Sequence, residues 1–416
     1  MKKLLLSTLL LAFSVVTLTA QQFDLSGEIR PRFESKNGYQ TLLKPGEEGV
    51  SFISQRTRIN LNYKQSNFLV RIALQNVRVW GDVSTLAASD KANAFHEAWA
   101  QFTVADYLDL KLGRQEIVYD DSRIFGNVGW AQQARSHDAL IAKFKIAEKG
   151  KLDVGFALNN DTQAGVNYIY SNAAGYKTFQ YAWYHTSFDN FGLSLLALNN
   201  GIEYLNGGVE EISYSQTLGS RATFKSGVLA FDAAFYLQSG NLRANKVNAS
   251  YFGGNVKFKA SNTLALGLGA EYLSGKDMND ASTDIKSFAP LFGTNHKFNG
   301  WMDYFYVGNH ANSVGLVDFY ATLAYKKDKF SAKLIPHLFS SAADIYNTGT
   351  KMSNKLGTEI DVTLGYKIAK NIQFNAGYSQ MFGTKSLEVL KGGDSGRSTS
   401  WSWLMLTFKP NFYSSN

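Results

Sequence analysis

The sequence predicts an all-β chain: a transmembrane up-and-down antiparallel β-barrel of 18 strands, with 16 as the alternative count. Three observations predict it. The chain opens with an export signal, its residues alternate apolar and polar with period two, and its connections alternate between short and long.

Lys2 and Lys3 supply a basic start, Leu4 to Val16 is mostly apolar, and Leu18-Thr19-Ala20 puts a small residue before the cut. This is the pattern of a secretory signal peptide, and it predicts Gln21 as the first mature residue. The apolar run is too short to span a bilayer as a helix, and no stop-transfer pattern follows it. The expected organisation is therefore a leader over 1–20 and one barrel domain over 21–416. The sequence has no Cys, which excludes a disulfide framework and lipid attachment at a mature N-terminal cysteine.

No later stretch approaches about 18 consecutive apolar residues. The mean hydropathy of −0.19 is too polar for a helical membrane protein. The 29 Phe, 22 Tyr and 7 Trp, with 36 Gly and only 5 Pro, form a mixture that strands tolerate and barrel corners use. The formal charge is +8, with Lys2 and Lys3 leaving with the leader. Such a balance weakly favours anionic partners. There is no Walker loop, dinucleotide fingerprint or zinc-ligand spacing. The reading includes no cofactor, no metal and no nucleic-acid partner.

The alternation is clearest in Phe23 to Glu34, where odd positions are apolar or small and even positions are polar. A strand sends those two sets to opposite faces. In a membrane barrel the apolar face meets lipid and the polar face lines a lumen. The pattern recurs at Ile59-Leu61-Tyr63, Phe68-Val70-Ile72-Leu74 and Leu108-Leu110-Leu112. It returns at Leu229 to Leu237, Leu264 to Tyr272, Val317 to Tyr325 and Trp401 to Phe408.

Short turns are expected at Gln65-Ser66, Ala105-Asp106, Glu148-Lys149, Asp189-Asn190, Ser226-Gly227, Ser261-Asn262, Lys327-Asp328 and Ala369-Lys370. Long polar segments separate them, near 35–50, 81–93, 118–137, 161–175, 201–210, 239–246, 275–315, 340–354 and 383–399. Outer-membrane barrels have short periplasmic turns and long extracellular loops, so both termini are expected in the periplasm of a Gram-negative cell. About 22 residues per strand plus connection suits strands of roughly 10 residues. Phe23, Tyr63, Phe68, Tyr107, Phe191 and Phe330 flank the short-turn side, and Phe33 and Trp80 flank the other, where interfacial girdles would lie.

Nine of the twelve Arg precede residue 140. Alternation points Arg30, Arg32, Arg56, Arg58 and Arg71 into the lumen. Guanidinium keeps its charge and grips carboxylates in bidentate fashion, and basic rings make pores select anions. The same side chains, paired with Glu28, Glu34, Glu97 or Glu116, would equally brace the wall.

Gly113-Arg114-Gln115-Glu116, Tyr119, Asp121, Arg123, Gly126-Asn127, Trp130, Gln133, Ala134-Arg135 and Asp138-Ala139 together resemble the signature of the alginate-export family of outer-membrane porins. The resemblance implies a monomeric 18-stranded barrel whose basic lumen passes anionic polysaccharide or smaller anions through outer-membrane lipid. Carried over by position, Arg114, Arg123 and Arg135 become pore-lining, with Glu116, Asp121 and Asp138 as acidic partners beside Glu97. The expected waist lies where Arg56, Arg58, Arg71 and Arg114 converge. Some family members carry a long periplasmic turn thought to plug the pore. Here every turn at that end is short, which implies an ungated porin.

Two other classes compete. An outer-membrane receptor or adhesin would work through its long loops, above all 275–315. That loop carries Phe288, Phe292, Phe298, Trp301, Tyr304, Phe305 and Tyr306, which could instead fold inward and constrict the pore. A phospholipase would need a nucleophile and a base in reach. His185 with Ser187 falls near the short-turn side, and His310 with Ser313 would face opposite ways, so no catalytic residue is assigned. Asp277, Asn279, Asp280 and Asp284 form a polar loop without the pattern of a calcium site.

Overall fold

The computed structural model describes residues 21–90, 92–163, 170, 175–306 and 313–415, so the leader lies outside the described residues. Eighteen strands run up and down. They are β1 (Gln21–Asn37), β2 (Val50–Gln65), β3 (Phe68–Val79), β4 (Asn93–Ala105), β5 (Leu108–Gln115) and β6 (His137–Ile146). Next come β7 (Gly150–Leu158), β8 (Thr178–Phe188), β9 (Phe191–Asn206), β10 (Val209–Ser226), β11 (Leu229–Leu242) and β12 (Ala249–Lys259). The last six are β13 (Leu264–Leu273), β14 (Leu316–Lys327), β15 (Phe330–Ser340), β16 (Lys355–Ala369), β17 (Ile372–Gly383) and β18 (Thr399–Phe408). Each pairs antiparallel with the next. β18 returns to β1, with Phe408 opposite Ile29 and Ser400 opposite Asn37, so the sheet closes on itself. Asn411–Ser414 extend that seam along the first residues of β1. The count is the 18 expected from the connections, and no described helix is long and apolar enough to cross a membrane.

Alternation sorts the faces as the sequence implies. Ile29, Phe33, Ile59, Ile72, Leu74 and Phe231 are exposed on the outer wall, where lipid takes the place of a second sheet. Their neighbours Glu28, Arg30, Arg32, Glu34, Arg56 and Gln75 are buried inside. The short turns are tight. Ser66 (φ 47°), Asp189 (φ 45°) and Asp328 (φ 50°) take the left-handed conformation that such hairpins use. Ring pairs gather at this end: Tyr63 with Phe68 at 5.8 Å, Tyr325 with Phe330 at 6.2 Å, and Phe23 with Tyr413 at 6.0 Å. Amphipathic rings at one depth suit a membrane interface.

At the opposite end, segments 116–136 and 274–306 turn into the barrel instead of standing above it. They grip each other: Gly126 N–H donates to Phe292 O (2.9 Å), and Val128 N–H donates to the Thr294 hydroxyl (3.0 Å). Their Phe125 packs against the wall residues Phe179 and Tyr181, their Phe288 against Tyr236 and Tyr251, and Met302 and Tyr304 are buried in the same apolar cluster. Glycines make room for this core. A Cβ on Gly219 would lie 2.1 Å from the Tyr236 ring, so the ring lies flat on the wall only because that carbon is missing. The upper lumen is therefore packed with side chains, not an open pipe. In the last long connection, α1 (Lys385–Lys391) begins at Thr384, whose hydroxyl accepts from Leu387 N–H (3.4 Å).

Candidate conduction pathway

The wall formed by β1 to β4 is built by register. Glu28 stands opposite Arg58 and Arg30 opposite Arg56, while Arg58 also faces Gln75 on β3. The side chains then divide the work. Arg30 donates to Gln132 Oε1 (2.9 Å) and to the Gly129 carbonyl (2.9 Å). Arg32 donates to the Trp130 carbonyl (2.6 Å), pairs with Glu34 (2.8 Å) and lies 3.9 Å over the Trp130 ring. Arg56 binds Glu28 (2.8 Å) and reaches the Gln132 carbonyl (3.4 Å). These three therefore hold segment 129–132 in place. Lower down, Arg58 donates to Gln75 (2.9 Å) and lies 4.0 Å from Glu116, and Arg71 binds Asn62 (2.9 Å) and Glu97 (2.5 Å). Glu116 is shared further with His96 (2.7 Å) and Asn127 (2.8 Å).

Of the residues carried over from the family motif, Glu116 joins this wall and the three arginines do not. Arg114 corrects the expectation outright. It shares the outward face of β5 with Leu110 and Leu112, its side chain is 43% exposed, and it pairs at 2.8 Å with Asp138, which also faces outward. The pairing with Asp138 is present at the rim, away from Arg56, Arg58 and Arg71, and both side chains border a cavity of about 760 Å³ with Arg135, His137 and Tyr176. Arg123 lies inside yet across the lumen. It is fully buried, bonded to Glu271 on β13 and close to Asn299 (3.3 Å). Burial opposes its charge, and Glu271, Tyr251 and Asp121 together outweigh burial and hold its pKa above the ordinary value. Its expected partner Asp121 instead accepts from the Arg123 backbone N–H (3.1 Å) and lies 3.9 Å from Arg221. Arg135 donates to the Gly293 carbonyl (3.0 Å), joining the two inward segments.

Two cavities lie one above the other along the β1–β2 wall. The upper one, about 560 Å³, is lined by Arg32, Ser54, Tyr39, Trp130, Gln133 and Asp303. The lower one, about 410 Å³, is lined by Glu28, Arg30, Arg56, Lys367, Lys370 and Lys409 with neutral residues of β17 and β18. Arg32 and Arg30 are successive inner positions of one strand, so the two cavities share that stretch of wall. In the lower chamber five cations face a single carboxylate. Its three lysines escape sequence reasoning because they sit at or beside strand ends. There the alternation that assigns faces runs out, and a lysine in the lumen reads like one among headgroups.

The rival chemistries gain little from geometry. His185 Nδ1 meets Ser194 (3.0 Å), not Ser187, and Asp120 takes the Ser194 hydroxyl (2.5 Å) instead of orienting the imidazole. His310 lies outside the described residues. Asp280 is tied to Lys286 (2.7 Å) and Asp277 accepts from Asp344 N–H (2.7 Å), and no metal-holding group of three or more such side chains occurs among the described residues.

No curated protein matches the chain in sequence. Solved structures similar to it are outer-membrane porins. OpdO of Pseudomonas aeruginosa matches with a TM-score of 0.64 at 12% identity, over 94% of this chain and 98% of that one. OccAB2 of Acinetobacter baumannii matches with a TM-score of 0.63 at 11% identity, over 94% and 98%. OccK11 (OpdR) of Pseudomonas aeruginosa matches with a TM-score of 0.62 at 12% identity, over 94% and 96%. At such identities the likeness is one of fold. The alginate-export family profile matches residues 21–386, nearly the whole barrel. With a closed 18-strand barrel behind that match, the chain belongs to the alginate-export family and is a Gram-negative outer-membrane porin or channel.

Proposed function

We propose that the barrel is a monomeric pore that passes small organic anions, with both termini in the periplasm. The lower chamber carries the reading: Arg30, Arg56, Lys367, Lys370 and Lys409 surround Glu28 alone. Fixed cations at a narrow place raise the local concentration of anions and repel cations. Arg32 above, with Arg58 and Arg71 on the neighbouring strands, extends the basic surface. The cavity sizes suit small solutes. An anionic polysaccharide would need segments 116–136 and 274–306 to withdraw. OpdK, a fold relative, has been solved with vanillate, a small carboxylate, which agrees with this cargo class. The receptor reading relied on loop 275–315 reaching outward, and the described part of that loop turns inward.

Reversal potential across a salt gradient is the test. At about 0.1 M salt the screening length is about 10 Å, so wall charges still act on ions in a narrow pore. The unmodified pore is expected to prefer anions. Lys367→Ala with Lys370→Ala and Lys409→Ala is expected to shift the potential toward cations, less so as salt rises. A cation-selective unmodified pore would overturn the reading. Orientation has its own check: Cys at Asp280 should react with an impermeant reagent on whole cells, and reaction at Asp328 alone would invert the barrel.

A further inference from the structure

Across the lumen from the arginine wall lies another cavity of about 410 Å³, formed by the inner faces of β10 to β15 and floored by the descending tip of segment 274–306. It opens toward the short-turn end, since Lys257 and Lys333 stand two and three residues from their strand ends there. Behind it lie the buried Arg123, bonded to the lining residue Glu271, and the stacked rings of Tyr251 and Phe288, 5.2 Å apart.

Its charges are unevenly satisfied. Asp232 and Asp121 both lie against Arg221, and Glu271 is taken by Arg123 and Asn299 (2.6 Å). Among the described residues neither Lys257 nor Lys333 forms an ion pair, and both are exposed to the cavity. Among the described residues Lys297 forms no ion pair and donates to the Asp121 carbonyl (2.6 Å). Burial, together with the cations Arg221, Arg123 and Lys257, outweighs Asp121 and holds Lys297 below its ordinary pKa, as expected where positive charge lacks a counter-ion. Beside these ammonium groups are flat apolar surfaces. Lys333 Nζ lies 5.7 Å from the Trp301 ring and Lys297 Nζ lies 5.2 Å from the Phe298 ring. Tyr320 completes the aromatic lining.

We infer that this alcove is a separate binding site for a small aromatic carboxylate, whose acid group sits between Lys257 and Lys333 and whose ring lies against Trp301. The cavity has the size of a small-molecule site. The site is independent of the pore's ion preference, because none of its residues belongs to the lower chamber.

Calorimetric titration of the folded barrel with benzoate, and with uncharged benzamide, tests it. Benzoate should bind and benzamide should not. Lys257→Ala with Lys333→Ala should weaken benzoate about tenfold or more, the effect of losing charge-assisted bonds. Lys257→Arg with Lys333→Arg keeps both charges, should retain binding, and shows that substitution alone does not unmake the site. The inference is overturned if benzoate does not bind, if benzamide binds equally, or if the alanine pair binds benzoate as well as the unmodified barrel. It is overturned too if binding is lost with Arg58→Ala and Arg71→Ala instead, which would move the site to the arginine wall. The reversal potential judges the anion-pore reading separately.

Discussion

The two walls that hold the inward loops do so with opposite charge. On β1 and β2, Arg30, Arg32 and Arg56 donate to the carbonyls of Gly129, Trp130 and Gln132. On β13 to β16, acids accept instead: Glu359 takes Met302 N–H (2.8 Å), Asp361 takes Trp301 N–H (3.2 Å), and Glu271 and Asp318 take the Asn299 amide (2.6 and 3.2 Å). His337 bridges Asp318 (2.9 Å) and Asp361 (3.6 Å). A loop inside a lumen must satisfy its backbone groups, and the wall supplies whichever sign the facing edge lacks. Fixed charge on a barrel's inner face is thus not by itself a statement about ions in transit. Some of it holds protein.

That distinction can be broken at its strongest point. Glu271→Ala leaves Arg123 buried without a counter-charge, which costs about 3–5 kcal/mol. The expected outcome is a lower urea midpoint for the folded barrel and a larger, noisier single-channel conductance as both inward segments loosen. An unchanged midpoint would mean that the acid wall holds nothing. On the basic wall, Arg30→Ala removes charge-assisted bonds worth about 1.5–3 kcal/mol. Faster amide exchange across 129–133 should report it, together with a shift of selectivity toward cations. If selectivity shifts while exchange does not, Arg30 faces ions more than it holds the loop. The smallest effect should come from Arg114→Ala. Its pair with Asp138 is on the outer rim, where such contacts contribute about 0–1 kcal/mol, and neither stability nor reversal potential should move measurably. A clear change in selectivity there would return Arg114 to the lumen and undo the correction.

The sequence by itself determined the barrel. Alternation is local, and lipid imposes it on every strand: an arginine on the lipid face at mid-depth costs about 2–4 kcal/mol, so Arg58 and Arg71 were assigned inward from spacing alone. The short turns and long loops likewise set the strand count, because each is a property of a few neighbouring residues. Only the tertiary structure decided what the inward charges touch. Arg30 meets Gln132 102 residues away, and Arg123 meets Glu271 148 residues away. Segments 116–136 and 274–306 have no period to give their direction, since their backbone groups bond to each other and to side chains on distant strands. For the same reason the family motif around Arg114 was legible as a pattern but not as a place. Its residues part toward the outer rim, the acid wall and the loop junction, and that parting follows from how the chain turns after β5.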